Sequence, residues 1–436
     1  MIATGGLSLD QAPPAHLPLR LFLTAPWFAV AAGVLLALQG ETVLGSRWSP
    51  AALAATHLLT VGFLSQIMLG ALLQMLPVIA GAPVPGVRLI APAVHLLVTA
   101  GAMLLALGFL GSGGHVLAAG AISAGLGFAL FALAALTALT ALSRGRGGAA
   151  TRRALRLTTL SLLITVSLGL TLTSALLGWL PLSNLADWVQ LHVAWGLFGW
   201  IGLLILAVGM QVVPLFHVTA PYPGWMRRVL VPLMFLVLCG STLMQAWPRF
   251  AGPAAMPALQ WLLALGFSAF ALATLRLQRR RSRPRLDATL LHWWSALGAL
   301  LAAVLCWAMA ASLELIGVLL LIGVGVGLPS GMLLKIVPFL CWFHLQSRQI
   351  SLGRLQVRIP HMHRLLPERL ARVHFAMHVG ALLTAVIGVL EPALAWIAGL
   401  LLALSALWLF ALLATAWLRY HAVMLELARV ESAIQD

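Results

Sequence analysis

Histidine is the residue type whose number and placement in this sequence most favour chemistry. The chain has 13 histidines against 10 carboxylates in 436 residues, although only 8% of its residues are charged. Imidazole is a common ligand of haem iron and copper, and ionisable groups inside a membrane usually face the interior of a helix bundle. The candidate cofactor ligands all fall in apolar segments: His57, His95, His192, His374 and His378.

Two of these histidines, His57 and His192, lie about two turns into their apolar segments, at similar depth. We predict that both serve one haem or one metal ion. His374 and His378 are four residues apart, so they share a helix face and form a possible metal clamp. His95 stands six residues before a glycine, as His374 does. For each histidine the alternative is an ordinary packed or interfacial side chain.

Long apolar segments must position these histidines. Hydrophobic residues make up 62% of the chain, and its 8% of charged residues compares with about 25% in soluble domains. Many segments reach the ~20 residues that span a bilayer. We therefore predict an all-α, polytopic membrane bundle of twelve transmembrane helices, at 21–40, 51–80, 88–110, 114–142, 154–180, 188–216, 226–247, 254–276, 287–311, 313–345, 370–390 and 392–418.

The basic residues predict the orientation of the bundle. Nearly all of the 26 basic residues fall on one side of this helix assignment; the exceptions are Arg47 and Arg249. Basic loops are retained in the cytoplasm, so we place 143–153, 277–286, 346–369 and both termini there. We expect a bacterial inner-membrane protein with the lipid bilayer as its partner, no cleaved signal peptide, and no nucleic-acid binding despite the net charge of +16.

Three of the predicted helices share an internal spacing. The pairs Gly62–Pro77, Gly199–Pro214 and Gly323–Pro338 are each 15 residues apart, in helices two, six and ten. This indicates a pseudo-threefold architecture of three four-helix units, at about 21–142, 154–276 and 287–418. The alternative is generic packing of membrane helices through small residues.

A polar residue follows each repeated glycine by 12 positions: Gln74, Gln211 and Lys335. Three polar groups directed at a shared axis could bind a haem propionate, an anion or water. Lys335 is the only lysine of the chain, and we expect its ammonium group to extend to the cytoplasmic interface.

Twelve helices in three units resemble subunit I of the haem-copper oxidases. The local sequences agree from Thr56 to Val78, from Leu191 to Phe216 and from Lys335 to His344, which resemble the second, sixth and tenth helices of subunit-I-like proteins. The resemblance implies that His57 is an axial haem ligand and that His192 binds copper. The family's His-Pro-Glu-Val-Tyr motif, its paired histidines in helix seven and the histidines inside helix ten are absent, so the full oxygen-reducing centre is not expected.

The sequence therefore predicts a haem- or copper-binding membrane protein without complete oxidase chemistry. It is similar to the divergent NnrS-type relatives, which implies redox or nitric oxide and denitrification metabolism, or support of an oxidase, with other respiratory subunits as possible partners. Two alternatives stay open: a twelve-helix transporter or permease, and an assembly partner without a cofactor.

Overall fold

The computed structural model of the protein describes residues 13–141, 148–247, 254–353 and 357–432. Within these ranges it contains twelve helices long and apolar enough to cross a membrane, and no β-strand. The predicted all-α bundle of twelve helices is confirmed, and the chain is a multi-pass membrane protein. The helices are α1 (His16–Gly45), α2 (Pro50–Ala80), α3 (Val87–Ser112), α4 (Gly114–Ala141), α5 (Ala149–Leu176), α6 (Leu185–His217), α7 (Met226–Ala246), α8 (Ala255–Arg279), α9 (Ala288–Ala308), α10 (Leu313–Ser351), α11 (Glu368–Leu390) and α12 (Pro392–Arg429).

Most predicted boundaries fall within a few residues of the observed ones. The last helix is longer than predicted: α12 continues past residue 418 to Arg429. Its final turns carry charged residues, which suit a helix that extends beyond the hydrocarbon layer. Parts of the predicted basic loops, at 143–147 and 354–356, lie outside the described residues, as do position 142 and Arg249.

Side-chain caps fix the starts of three helices. Ser49 precedes Pro50 at the start of α2, and its hydroxyl accepts a hydrogen bond from the N–H of Ala52 at 3.0 Å. Ser312 caps α10 in the same way, and Asp287 caps α9 by accepting from the N–H of Leu290 at 2.9 Å. Each cap satisfies an N–H group that the helix itself leaves unpaired.

Three helices, α2, α6 and α10, form the interior of the bundle. In their most apolar windows 83%, 61% and 72% of the residues are buried, whereas the other nine helices reach at most 56%. The surrounding helices expose large apolar side chains, such as Leu38, Leu89 and Leu390, which suit a lipid-facing surface. The interior helices are the same three in which the sequence shows the repeated spacing.

Each interior helix also contains a π-helical segment at the repeated glycine. The segments are Leu58–Leu64 in α2, Ala194–Gly202 in α6 and Leu319–Val326 in α10, and they include Gly62, Gly199 and Gly323. Short π-helical segments are rare and frequently mark functional sites. Their shared position supports the pseudo-threefold repeat, which stays a prediction.

The repeated glycines permit close contact with the preceding helix. A Cβ atom added at Gly62 would lie 2.3 Å from Cγ of Phe28 in α1, and one at Gly323 would lie 2.6 Å from Cβ of Ala299 in α9. Small residues at such positions let membrane helices approach closely, which strengthens their van der Waals contact.

Candidate metal centres

The structure brings together the two histidines that were predicted to share a site. The rings of His57 in α2 and His192 in α6 are nearly parallel, at an interplanar angle of 14°, and their centroids are 6.3 Å apart. Each histidine lies about 10 Å along its helix from the start, at the same end of the bundle. A 3.4 Å hydrogen bond from Nε1 of Trp200 to Oγ of Ser65 joins the two helices about two turns further on.

Backbone carbonyl groups fix the protonation of both rings. Nδ1 of His57 donates to the carbonyl oxygen of Leu53 at 2.8 Å, and Nδ1 of His192 donates to that of Thr165 in α5 at 3.1 Å. A carbonyl oxygen only accepts, so in each neutral ring Nε2 keeps its lone pair. No hydrogen bond within the described ranges engages either Nε2 atom. This is the arrangement of metal-binding histidines, in which the second nitrogen holds the ring in place.

Neighbouring helices enclose the pair. The ring of Phe109 in α3 lies 4.9 Å from that of His57, centroid to centroid. On the other side, α5 approaches His192 at Gly169, where an added Cβ would lie 3.1 Å from Cε1 of the imidazole. The π-helical segments begin directly after His57 and two residues after His192, so both imidazoles lie where the helix widens.

A second group of imidazoles lies at the other end of the bundle, between α9 and α11. His292, His374 and His378 are all fully buried. Nε2 of His292 is 3.1 Å from Nδ1 of His374, and the ring centroid of His292 is 5.3 Å from that of His378. The predicted clamp of His374 and His378 is therefore supplemented by a third imidazole. The sequence analysis did not include His292 among the candidates. Its neighbours Trp293 and Trp294 are typical of a membrane interface, so His292 resembled an interfacial residue.

Helix α10 closes this group through small residues. An added Cβ at Gly327 would lie 2.6 Å from Nε2 of His378, and one at Gly331 would lie 2.3 Å from Cβ of His292. Within the described ranges, both nitrogens of His378 are buried without a hydrogen-bond partner, and so is the hydroxyl of Ser330. Buried polar atoms without partners are uncommon and suggest a ligand or an ordered water.

The ring nitrogens of His374 are occupied by hydrogen bonds. Nδ1 is paired with His292, and Nε2 lies 3.3 Å from Oγ of Ser405 in α12. Across the described part of the chain, no three His, Cys, Asp or Glu side chains already converge as ligands of one metal ion. A metal bound at this group would have to replace the hydrogen bond between His292 and His374.

The other predicted positions have separate contacts. His95 of α3 donates from Nε2 to Oγ1 of Thr24 at 2.9 Å, because the Thr24 hydroxyl itself donates to a backbone carbonyl. Gln211 donates to Oγ1 of Thr151 in α5 at 3.1 Å, and Oε1 of Gln74 is buried without a partner among the described residues. None of the hydrogen bonds found in the described ranges joins one repeated polar position to another.

Lys335 forms an ion pair at the end of the bundle, and the predicted extension of its ammonium group to the cytoplasmic interface stays a prediction. Its ammonium nitrogen lies 2.6 Å from Oδ2 of Asp287, and both side chains are about one-quarter exposed. Burial raises the pKa of Asp287, but the Lys335 ammonium and the N–H of Leu290 outweigh it and hold the pKa below its ordinary value. The pair links the capped start of α9 to α10.

A scan of the chain against models of known families finds no match, and a search of curated proteins finds none either.

Proposed function

We propose that this protein binds haem or copper through imidazole ligands and acts in redox or gas-ligand metabolism, such as that of nitric oxide, or in support of a respiratory oxidase. One observation carries the proposal: His57 and His192 are parallel, with Nδ1 fixed by a carbonyl group and Nε2 without a partner. A resident haem or copper would supply reversible one-electron transfer and a place for a small gaseous ligand.

The two rings are close enough to serve one haem or one metal ion. Metal–nitrogen bonds to imidazole are about 2 Å long, and the ring centroids are 6.3 Å apart, so His57 and His192 would be the residues that hold the group. In this arrangement the chain contributes the orientation: Leu53 and Thr165 hold the tautomer, and Phe109 and Gly169 exclude other ring positions.

Imidazole donors also make the group of His292, His374 and His378 suitable for copper. Three neutral imidazoles in an apolar interior match the donor preference of this metal, and the unpartnered nitrogens of His378 leave one ring free to bind. Since the group lies at the opposite end of the bundle from His57 and His192, the protein would have two separate imidazole sites.

Absorption spectra and metal analysis of the protein purified in detergent test the proposal. We expect a Soret band or stoichiometric copper in the wild type, and its loss in His57→Ala and His192→Ala. His115→Ala is the matched control, because His115 is exposed at the same end of the bundle and makes no contact with either ring. A colourless, metal-free wild type after supplementation with haem precursor and copper would refute the proposal and favour the transporter or the assembly partner.

A further inference from the structure

A polar cleft opens at the end of the bundle where α6 and α8 end and α9 and α11 begin. Its volume is 290 Å³, room for roughly ten or more water molecules. Five cationic side chains line it, against the two carboxylates Asp287 and Glu368, which leaves an excess of three positive charges. The cationic residues are Arg281, Arg283, Arg285, Lys335 and Arg372.

The two carboxylates are already engaged by the protein. Asp287 pairs with Lys335 at 2.6 Å and caps α9, and Glu368 accepts from the N–H of Ala288 at 2.7 Å and pairs with Arg372 at 3.3 Å. They therefore neutralise Lys335 and Arg372, and the charges of the three arginines between α8 and α9 remain uncompensated. Arg281, Arg283 and Arg285 supply this excess, and the last two are exposed.

A buried imidazole adds an unpaired donor to the cleft. His217, the last residue of α6, is only 6% exposed and lines the cleft. The side-chain amide of Gln278 donates to its Nδ1 at 2.9 Å, which places the ring proton on Nε2. This Nε2–H group is buried and has no acceptor among the residues that the structure describes. Leaving such a buried donor unpaired is unfavourable, so a ligand with oxygen acceptors would bind favourably there.

We propose that this cleft binds a phosphate group, which belongs either to a lipid headgroup or to free phosphate. Arginine is well suited to phosphate because its planar guanidinium group forms paired, charge-assisted hydrogen bonds. The cleft offers two such groups beside a buried N–H donor, at the boundary between the apolar helices and their basic connecting segment. The guanidinium of Arg281 lies 5.9 Å from the ring of Trp294, so this segment is held against the bundle.

Binding of inorganic phosphate to the full chain, in a detergent without phosphate, tests the site. We expect saturable binding by the wild type, and at least a tenfold loss of affinity in the double variant Arg283→Gln, Arg285→Gln. The double variant Arg279→Gln, Arg280→Gln removes the same charge from neighbouring positions outside the cleft and should change affinity less than twofold. His217→Phe keeps a ring of similar shape and should weaken binding about tenfold.

Competition with phosphatidylglycerol identifies the source of the phosphate group. Displacement of bound phosphate by this lipid at comparable concentration assigns the cleft to a headgroup, and failure to displace assigns it to free phosphate. Equal affinities in the two arginine double variants, or no saturable binding of either probe to the wild type, would overturn the proposal. The exposed arginine variants should melt like the wild type, so a loss of binding will not reflect unfolding. The test is independent of whether haem or copper is bound.

Discussion

Substitution of Gly331 by alanine tests the packing that encloses the second imidazole group. Gly331 of α10 lies against His292 of α9, and an added Cβ would come within 2.3 Å of Cβ and 2.8 Å of Cγ of that histidine. These atoms are at the root of a fully buried side chain, so a rotamer change does not relieve the contact. The two helices must move apart, which also strains the 3.1 Å hydrogen bond between His292 and His374.

The expected magnitude follows from two opposing effects. Overpacking a well-packed interior costs about 1–3 kcal/mol. Replacing glycine by alanine inside a helix contributes about 0.5–1 kcal/mol of stabilisation. We therefore expect Gly331→Ala to destabilise the protein by about 1–2 kcal/mol. Gly317→Ala is the matched control, because Gly317 lies in the same helix and no atom would come within 4 Å of its added Cβ.

Thermal unfolding in detergent, followed by circular dichroism, measures the difference. Gly331→Ala should melt below the wild type, whereas Gly317→Ala should melt at or above it. If a metal binds the three imidazoles, copper content should fall in Gly331→Ala alone. Equal melting temperatures for the two variants would show that α9 and α10 are not packed as closely as the structure has them.

Three further predictions concern the ion pair of α9 and the interior glycines. Asp287→Asn keeps the cap of α9 but leaves Lys335 without its partner, so we expect the free energy of unfolding to fall by about 1–3 kcal/mol, measured by thermal unfolding. Asp287→Ala also removes the cap and should cost about 1 kcal/mol more. Identical melting of both variants and the wild type would argue against the ion pair. The folded pKa of Asp287 lies below its ordinary 3.8, so the stabilisation that its carboxylate provides is complete above about pH 4 and is lost as the pH falls through the lowered pKa. The difference in melting temperature between the wild type and Asp287→Asn should therefore be constant from about pH 7 to 5 and shrink below about pH 4. A difference that disappears already near pH 6 would assign the effect to another group. Gly62→Ala should destabilise α2 against Phe28 by about 1–2 kcal/mol, whereas Gly45→Ala, with open space around the added Cβ, should not lower the melting temperature.

Hydropathy was sufficient to predict the helices, because each membrane-spanning segment must satisfy its own backbone hydrogen bonds and cover them with apolar side chains. That constraint is local, so it can be read from a window of about 20 residues. The ends were less accurate where charged residues continue a helix beyond the apolar layer, as in α12, where the prediction stopped at 418 and the helix continues to Arg429.

The contacts between helices followed less directly from the sequence. Spacing predicted that His57 and His192 lie close together, and they do. Spacing did not predict that His292 joins His374 and His378, because the burial of His292 depends on how α9 is rotated against α10 and α11. Its environment depends on Gly331 of α10, which is 39 residues away in the chain and packs against Cβ of His292.

Lys335 shows the same limit for charged residues. An isolated lysine near the end of an apolar helix favours an extended side chain that reaches water. The sequence places Asp287 at the start of a predicted helix, but it does not indicate that this carboxylate faces α10 and pairs with Lys335. The ion pair depends on the packing of α9 against α10, a contact between segments 48 residues apart.

The three interior helices share a backbone arrangement but differ in where imidazoles lie. Each contains the glycine, the π-helical segment and the proline at the repeated spacing. In the described residues, histidines at or just before the π-helical segment occur in α2 and α6, and their ring centroids are 6.3 Å apart. Helix α10 has glycines at Gly327 and Gly331 instead, and these make room for imidazoles from α11 and α9. If the proposed function holds, the shared backbone arrangement would offer similar places for a ligand, and the positions of the histidines would determine which of them bind one.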